Sequence, residues 1–151
     1  GWLPNNFKWL MKKELRKIPF VGTACAVAGH IFVDRSNPRA AMESLHYIKA
    51  QLHDGISTVI FPEGTRTKTG EMGRFKAGAF KIAMDMGLPV VPITLKGFYE
   101  AMPRGKAFAN PRSRVSLHIG KPIDISQFND INEAMAAVRE KVAEGLSKPL
   151  S

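Results

Sequence analysis

The apolar residues of this chain switch repeatedly between strand-like and helix-like spacing, which restricts it to folds in which strands and helices alternate. Phe7 to Met11 reads as a short strand, and Pro19-Phe20 opens a small-residue segment to Ala28 that fits a closely packed helix stopped by Gly29. His30 to Asp34 is the next strand. Asn37 and Pro38 then start a helix with Met42, Leu45, Ile48 and Leu52 on one stripe, ending near His53-Asp54-Gly55. Ser57 to Phe61 is β-branched and apolar, as a buried parallel strand would be. Gly78 to Met86 reads as helix, Gly87-Leu88-Pro89 as a turn, Val90 to Leu95 and Arg114 to Ile119 as further strands. A last helix starts at Asp130, with Glu133 completing a capping-box-like pattern, and turns Ile131, Ala134, Met135, Val138, Val142 and Leu146 inward. The expected architecture is α/β: a single domain with a central mainly parallel or mixed sheet flanked by helices. Its 151 residues suffice for one core.

Charge narrows the function. The chain carries 22 Lys and Arg against 13 Asp and Glu, a net +9, so its surface attracts anions. Residues 1–120 hold 18 of the basic and 8 of the acidic residues, which removes the last thirty residues from the expected binding region. Cys25 is the single cysteine and has no disulfide partner within the chain. The four His are scattered and Cys25 has no ligand at metal-site spacing, so no metal site is expected. The longest charge-free run, Ile18 to Val33, is broken by Pro19, Gly22 and Gly29 and is too short to span a bilayer. The chain opens on Gly1 in mid-pattern, and truncation at the N-terminus is expected.

Ligands of open α/β sheets collect beyond the carboxyl ends of strands, which directs attention to the residues after Phe61. There the chain reads Pro62-Glu63-Gly64-Thr65-Arg66, with Lys68, Arg74 and Lys76 close behind. Gly64 permits a tight turn, the Arg66 guanidinium can grip two phosphate oxygens, and Lys76 adds a point charge. Glu63 has two candidate duties: orienting Arg66, or accepting a hydrogen bond from a substrate hydroxyl. The same residues would also make an ordinary solvated, salt-bridged loop.

Taken whole, Phe61-Pro62-Glu63-Gly64-Thr65-Arg66 resembles the glycerophospholipid acyltransferases, in particular the bacterial 1-acylglycerol-3-phosphate acyltransferases. Lys12-Lys13-Glu14-Leu15, Gly29-His30-Ile31-Phe32-Val33-Asp34-Arg35, Phe75-Lys76-Ala77-Gly78 and Val90-Val91-Pro92-Ile93 agree in order, and the likeness runs from residue 1 to about 125. The resemblance implies transfer of a fatty acyl group from acyl-CoA or acyl carrier protein to the free hydroxyl of a lysophosphatidate-like lipid, with no cofactor. It also implies that Glu63, Gly64, Thr65 and Arg66 bind the glycerol phosphate, with Lys12, Arg35 and Lys76 as supporting cations. A peripheral or anchored position at the cytoplasmic face of a membrane follows from the same likeness.

One family feature does not occur in these residues. Acyl transfer to an alcohol needs a base, and the family supplies it as His-x-x-x-x-Asp. None of His30, His46, His53 or His118 has Asp five positions on. His30 and Asp34 lie about 13 Å apart along a strand, beyond hydrogen-bond reach. The chain alone is therefore expected to be nearly inactive, with the acceptor site present and no catalytic residue of its own. A non-catalytic anionic-lipid-binding relative is the alternative. A nucleic-acid-binding domain would need Lys12, Lys13, Arg16 and Lys17 to meet phosphates beside Phe7 and Trp9, but no recognition module supports it. Trp2, Leu3, Phe7, Trp9 and Leu10 with Lys8, Lys12 and Lys13 form a candidate membrane surface, against the simpler reading that Phe7 and Trp9 face a core. Met72, Met84 and Met86 read as packing.

Overall fold

The computed structural model describes residues 7–34, 46–50, 52, 55–102 and 110–149. The chain divides into two compact units, residues 1–61 and 62–151.

In the first unit a parallel sheet is built in the order β2-β1-β3, from β1 (Phe7–Lys12), β2 (Ile31–Val33) and β3 (Ser57–Val59). β1 divides its length between its neighbours: Leu10 pairs with Ile31 toward one end, and Phe7 with Ser57 toward the other. Strand alternation puts Phe7 and Trp9 on one side, where their rings meet edge-on at 5.8 Å and Trp9 stacks on Phe61 at 5.9 Å. Lys8 points the other way and donates to the carbonyl of Ala28 at 2.7 Å. The expected membrane surface through Phe7, Trp9, Lys8 and Leu10 is thus split between two faces, and its Trp2 and Leu3 lie outside the described residues.

A 3-10 helix, Lys13–Lys17, leads into α1 (Val21–Val27). The expected helix is present and ends at Gly29, packed closely on the 3-10 helix through its one buried residue, Gly22. A side chain at Gly22 would run into the backbone of Arg16, whose guanidinium sits 5.9 Å from the centre of the Phe32 ring. Residues 46–50 are helical and Ile48 is fully buried, as the stripe required. Asn37, Pro38, Met42, Leu45, His53 and Asp54 lie outside the described residues.

The second unit contains α2 (Gly78–Met86), β4 (Ile93–Lys96), the single-turn α3 (Phe98–Ala101), β5 (Ser116–Ile119), a 3-10 turn at Ile125–Gln127 and α4 (Ile131–Ser147). β4 and β5 pair antiparallel, with Thr94 opposite His118. The expected strand from Val90 is interrupted because Pro92 has no N–H to donate. Val90 instead exchanges both hydrogen bonds with Ile123, and regular pairing begins at Ile93. The core gathers Phe75, Phe80, Ala83, Ile125, Ala134 and Val138, bordered by Met72, Met84, Ile131, Met135 and Val142. Met72 and Met84 thus take the packing role expected of them.

α4 lies against β4. The Thr94 hydroxyl donates to the Val142 carbonyl at 2.9 Å, and Gly145 is buried against the Thr94 side chain with no room for a Cβ. Asp130 occupies the N-cap position, but its side chain makes no cap bond. It accepts from the Asn132 side-chain amide at 3.4 Å, so the expected capping box does not form. A working cap stands one turn earlier, where Asp124 Oδ1 accepts from the Ser126 amide (3.0 Å) and hydroxyl (2.7 Å). The hydroxyl bond, with help from the amide, holds the Asp124 carboxyl below the usual carboxylate range.

Candidate phosphate-binding loop

The candidate site is one closed loop running from Pro62 to Lys76. At its base, Lys76 N–H donates to the Pro62 carbonyl at 2.9 Å. Higher up, Gly73 N–H donates to Glu63 Oε2 at 2.8 Å. At the tip, the Thr67 hydroxyl oxygen accepts from the amides of Thr69 (3.2 Å) and Gly70 (3.1 Å). Such a loop, with close ends and internal side-chain bonds, is a recurrent carrier of function.

Local sequence explains the shape. Gly64 and Gly70 take φ of 73° and 89°, values that L side chains rarely adopt, and so permit the two tight bends. Space decides at Gly73, where an added Cβ would stand 2.8 Å from Glu63 Oε2. Two residues from elsewhere in the unit hold the loop. Tyr99 on α3 donates its hydroxyl to the Lys68 carbonyl at 3.0 Å and lays its ring against Gly70. Arg139 on α4 donates to the Met72 carbonyl at 3.2 Å. Neither was legible in the sequence, because both act across long separations and carry no local motif.

Glu63, Thr65, Arg66, Lys68 and Arg74 line one open cleft of about 350 Å³. Glu63 is half-buried, and the partner the structure gives it is the Gly73 amide rather than Arg66. Among the described residues, the Arg66 and Arg74 side chains make no ion pair, and both are exposed. Of the two carboxylates in the loop, Glu63 closes it, while Glu71 is exposed on the same cleft and makes no ion pair with Arg66 or Arg74 among the described residues, so both guanidiniums stay open to an incoming anion. Chemically this favours bidentate binding of a phosphate, with Lys68 adding charge.

The remaining candidates are distributed. Gly64 forms the bend beside Arg66, and Lys76, exposed, anchors the loop through its backbone. Lys12 ends β1 in the other unit, exposed and paired in register with Val33. Arg35 lies outside the described residues. Among the histidines, His30 Nδ1 accepts from the Trp9 amide at 3.4 Å, which makes it a sheet contact, and His46 is exposed. His118 faces Thr94 across the strand pair. Among the described residues no cluster of His, Cys, Asp or Glu suits a metal, and no helix is long and apolar enough to cross a membrane.

Comparison with known proteins gives this loop a context. The acyltransferase family profile matches residues 1–96. The chloroplastic 1-acyl-sn-glycerol-3-phosphate acyltransferase of Arabidopsis thaliana is 38% identical over 145 residues, which is 95% of this chain and 40% of that protein. The 1-acyl-sn-glycerol-3-phosphate acyltransferase of Pseudomonas aeruginosa is 42% identical over 85 residues, covering 56% of this chain and 33% of the relative. The crystal structure of the 1-acyl-sn-glycerophosphate acyltransferase from Thermotoga maritima superposes with a TM-score of 0.79 at 32% identity, covering 91% of this chain and 54% of that one. The chain spans about 40% of the length of the first two chloroplastic relatives it matches.

Proposed function

Because the chain belongs to the acyltransferase family, we propose that it forms the acceptor-binding part of a 1-acylglycerol-3-phosphate acyltransferase. The observation that carries this reading is the loop closed by Glu63 and Gly73, which leaves Arg66 and Arg74 exposed over one cleft. The acceptor is a lysophosphatidate-like lipid whose phosphate Arg66 grips, with Lys68 and Lys76 adding positive potential and Thr65 a hydroxyl. By the family resemblance alone, Lys12 and Arg35 are further candidate cations for an anionic substrate. The donor is acyl-CoA or acyl carrier protein, itself anionic, and no cofactor takes part.

In the reaction the acceptor hydroxyl oxygen attacks the thioester carbonyl carbon. A C–O bond forms, the C–S bond breaks, and the proton lost by the hydroxyl ends on the departing thiol. A base must carry that proton. His-x-x-x-x-Asp does not occur in these 151 residues, so the chain alone is expected to bind the acceptor with almost no turnover. Work takes place at the cytoplasmic face of a membrane, where the acceptor resides.

Calorimetric titration with glycerol 3-phosphate tests the proposal. A charge-assisted hydrogen bond contributes about 1.5–3 kcal/mol, so Arg66→Ala is expected to weaken binding by a factor of about 10 to 100. Equal affinity in parent and variant would remove Arg66 from the site. Equal affinity for any polyanion, DNA included, would replace the reading with a generic basic surface.

A further inference from the structure

The loop from Pro62 to Lys76 is held unequally along its length. Its lower half is tied by the Lys76 amide on the Pro62 carbonyl, the Gly73 amide on Glu63, and Arg139 on the Met72 carbonyl. The tip, Thr67 to Glu71, bonds chiefly to itself: the Thr69 and Gly70 amides donate to the Thr67 hydroxyl, and the Glu71 amide to the Thr69 hydroxyl at 3.3 Å. Such bonds fix the shape of the tip without fixing where it stands. Among the described residues, one hydrogen bond joins the tip to another element: the Tyr99 hydroxyl donates to the Lys68 carbonyl at 3.0 Å.

Tyr99 owes its place to the junction before it. Gly97, at φ of 80°, opens α3 and has no room for a Cβ against the Arg114 carbonyl, so the start of this single turn is fixed against the strand pair. α3 seats itself through Ala101, which is buried, whereas Tyr99 is 39% exposed and lies outside the core cluster. The Tyr99 ring stands 3.3 Å from where a Cβ would project on Gly70. A tyrosine outside the core that meets the tip by both hydroxyl and ring acts as a clamp.

The position of the tip matters because Arg66 hangs between the two halves. Its backbone leaves the bend at Gly64 on one side and enters Thr67 and Lys68 on the other. A bidentate grip requires the guanidinium plane to meet two oxygens at once, so a tip free to swing spreads Arg66 and Lys68 over arrangements of which few bind. Ordering the tip before the ligand arrives raises affinity without any contact to the ligand.

We propose that Tyr99 is a positioning residue for the anion grip: its hydroxyl holds the loop tip in the arrangement in which Arg66 and Lys68 act together on one phosphate. The proposal rests on the acceptor reading above and adds to it a residue from outside the motif.

Trypsin reads the clamp directly, because the carbonyl that Tyr99 holds belongs to the peptide bond between Lys68 and Thr69. The bond between Arg74 and Phe75 serves as the internal reference, since Phe75 is buried in the core and cleavage there reports wider opening. Tyr99→Phe keeps the ring and loses the hydroxyl. It is expected to be cleaved about fivefold faster after Lys68, the weight of one neutral hydrogen bond, and no faster after Arg74, with unchanged circular dichroism. Saturating glycerol 3-phosphate is expected to restore parent-like resistance after Lys68, and its affinity, by calorimetric titration, to fall by about fivefold. The proposal is overturned if Tyr99→Phe is cleaved and binds like the parent, or if both bonds become labile together. It is also overturned if affinity falls while the Lys68 bond stays resistant, which would put the hydroxyl on the ligand itself. A parent with no affinity for glycerol 3-phosphate would overturn the acceptor reading and this proposal with it, whereas a parent that binds beside an unaffected Tyr99→Phe would overturn this proposal alone.

Discussion

If Glu63 closes the loop by accepting from Gly73, then removing either partner should remove the same interaction. The carboxylate and the amide meet at 2.8 Å in a half-buried place, so the bond belongs at the low end for charged acceptors, about 1.5 kcal/mol. Glu63→Ala should cost about that much. Gly73→Ala brings a methyl group to 2.8 Å from Glu63 Oε2 and pushes the carboxylate off the amide, with the same loss. Alanine at a backbone that tolerates it also stiffens the unfolded chain, returning about 0.5 kcal/mol, for a net cost of about 1 kcal/mol. In the double variant the bond is already absent, so the total should again be about 1 kcal/mol rather than the additive value of about 2.5 kcal/mol. Urea unfolding of the four proteins at neutral pH measures the coupling. Single effects that add to within about 0.5 kcal/mol in the double variant would show that the two residues act independently and that the loop is closed in some other way.

Other consequences follow from single contacts. Gly145→Ala forces a methyl group to within 2.7 Å of the Thr94 Cβ and displaces the Thr94 hydroxyl from Val142. Overpacking of about 2 kcal/mol and a lost hydrogen bond of about 1 kcal/mol, less about 1 kcal/mol of gained helix propensity, leave about 2 kcal/mol of destabilisation in urea melts. A stabilised variant would mean that α4 is not seated on β4 as described. The Asp124 carboxyl is lowered chiefly by the Ser126 hydroxyl, and a lowered acid contributes stability that is complete above its unfolded pKa and lost as the pH falls through the folded value. The parent should therefore lose stability below about pH 4 in part through this group, and Asp124→Asn should lose that part of the acid dependence. Identical acid profiles for the two proteins would refute the assignment.

The alternation of strand and helix was legible because each element carries its pattern locally. β1, α2 and α4 begin close to where periodicity puts them, and Gly87 and Gly29 stop the helices before them. What the pattern missed was set by chemistry at single positions or by distance. Pro92 divides an apolar run that looks like one strand, because the missing donor matters only once a partner strand is present. Asp130 sits at the cap position and is diverted by Asn132, a choice between two nearby donors that composition does not decide. The exposure of α1 was hidden for a different reason. A run of small and apolar residues reads as core, and only the structure shows that Gly22 faces Arg16 while Phe20 faces solvent.

The site divides along the same line, and its two readings of Glu63 show why. From sequence, an acid three residues before an arginine is an obvious ion-pair partner, since the nearest opposite charge is the first one counted. In the folded loop its partner is the amide of Gly73, ten residues on, which no charge count includes. This exchange alters the chemistry. A carboxylate paired with Arg66 would compete with a phosphate for the same guanidinium, and an incoming ligand would have to break that pair before binding. A carboxylate that holds the loop shut is itself no such competitor, so that Glu71 is the one acid left on the cleft among the described residues, and ordering the loop in advance lowers the entropy lost when the anion arrives. Tyr99 and Arg139 extend the effect by tying the Lys68 and Met72 carbonyls to α3 and α4. The motif supplies the cations, and contacts distant in sequence make them available.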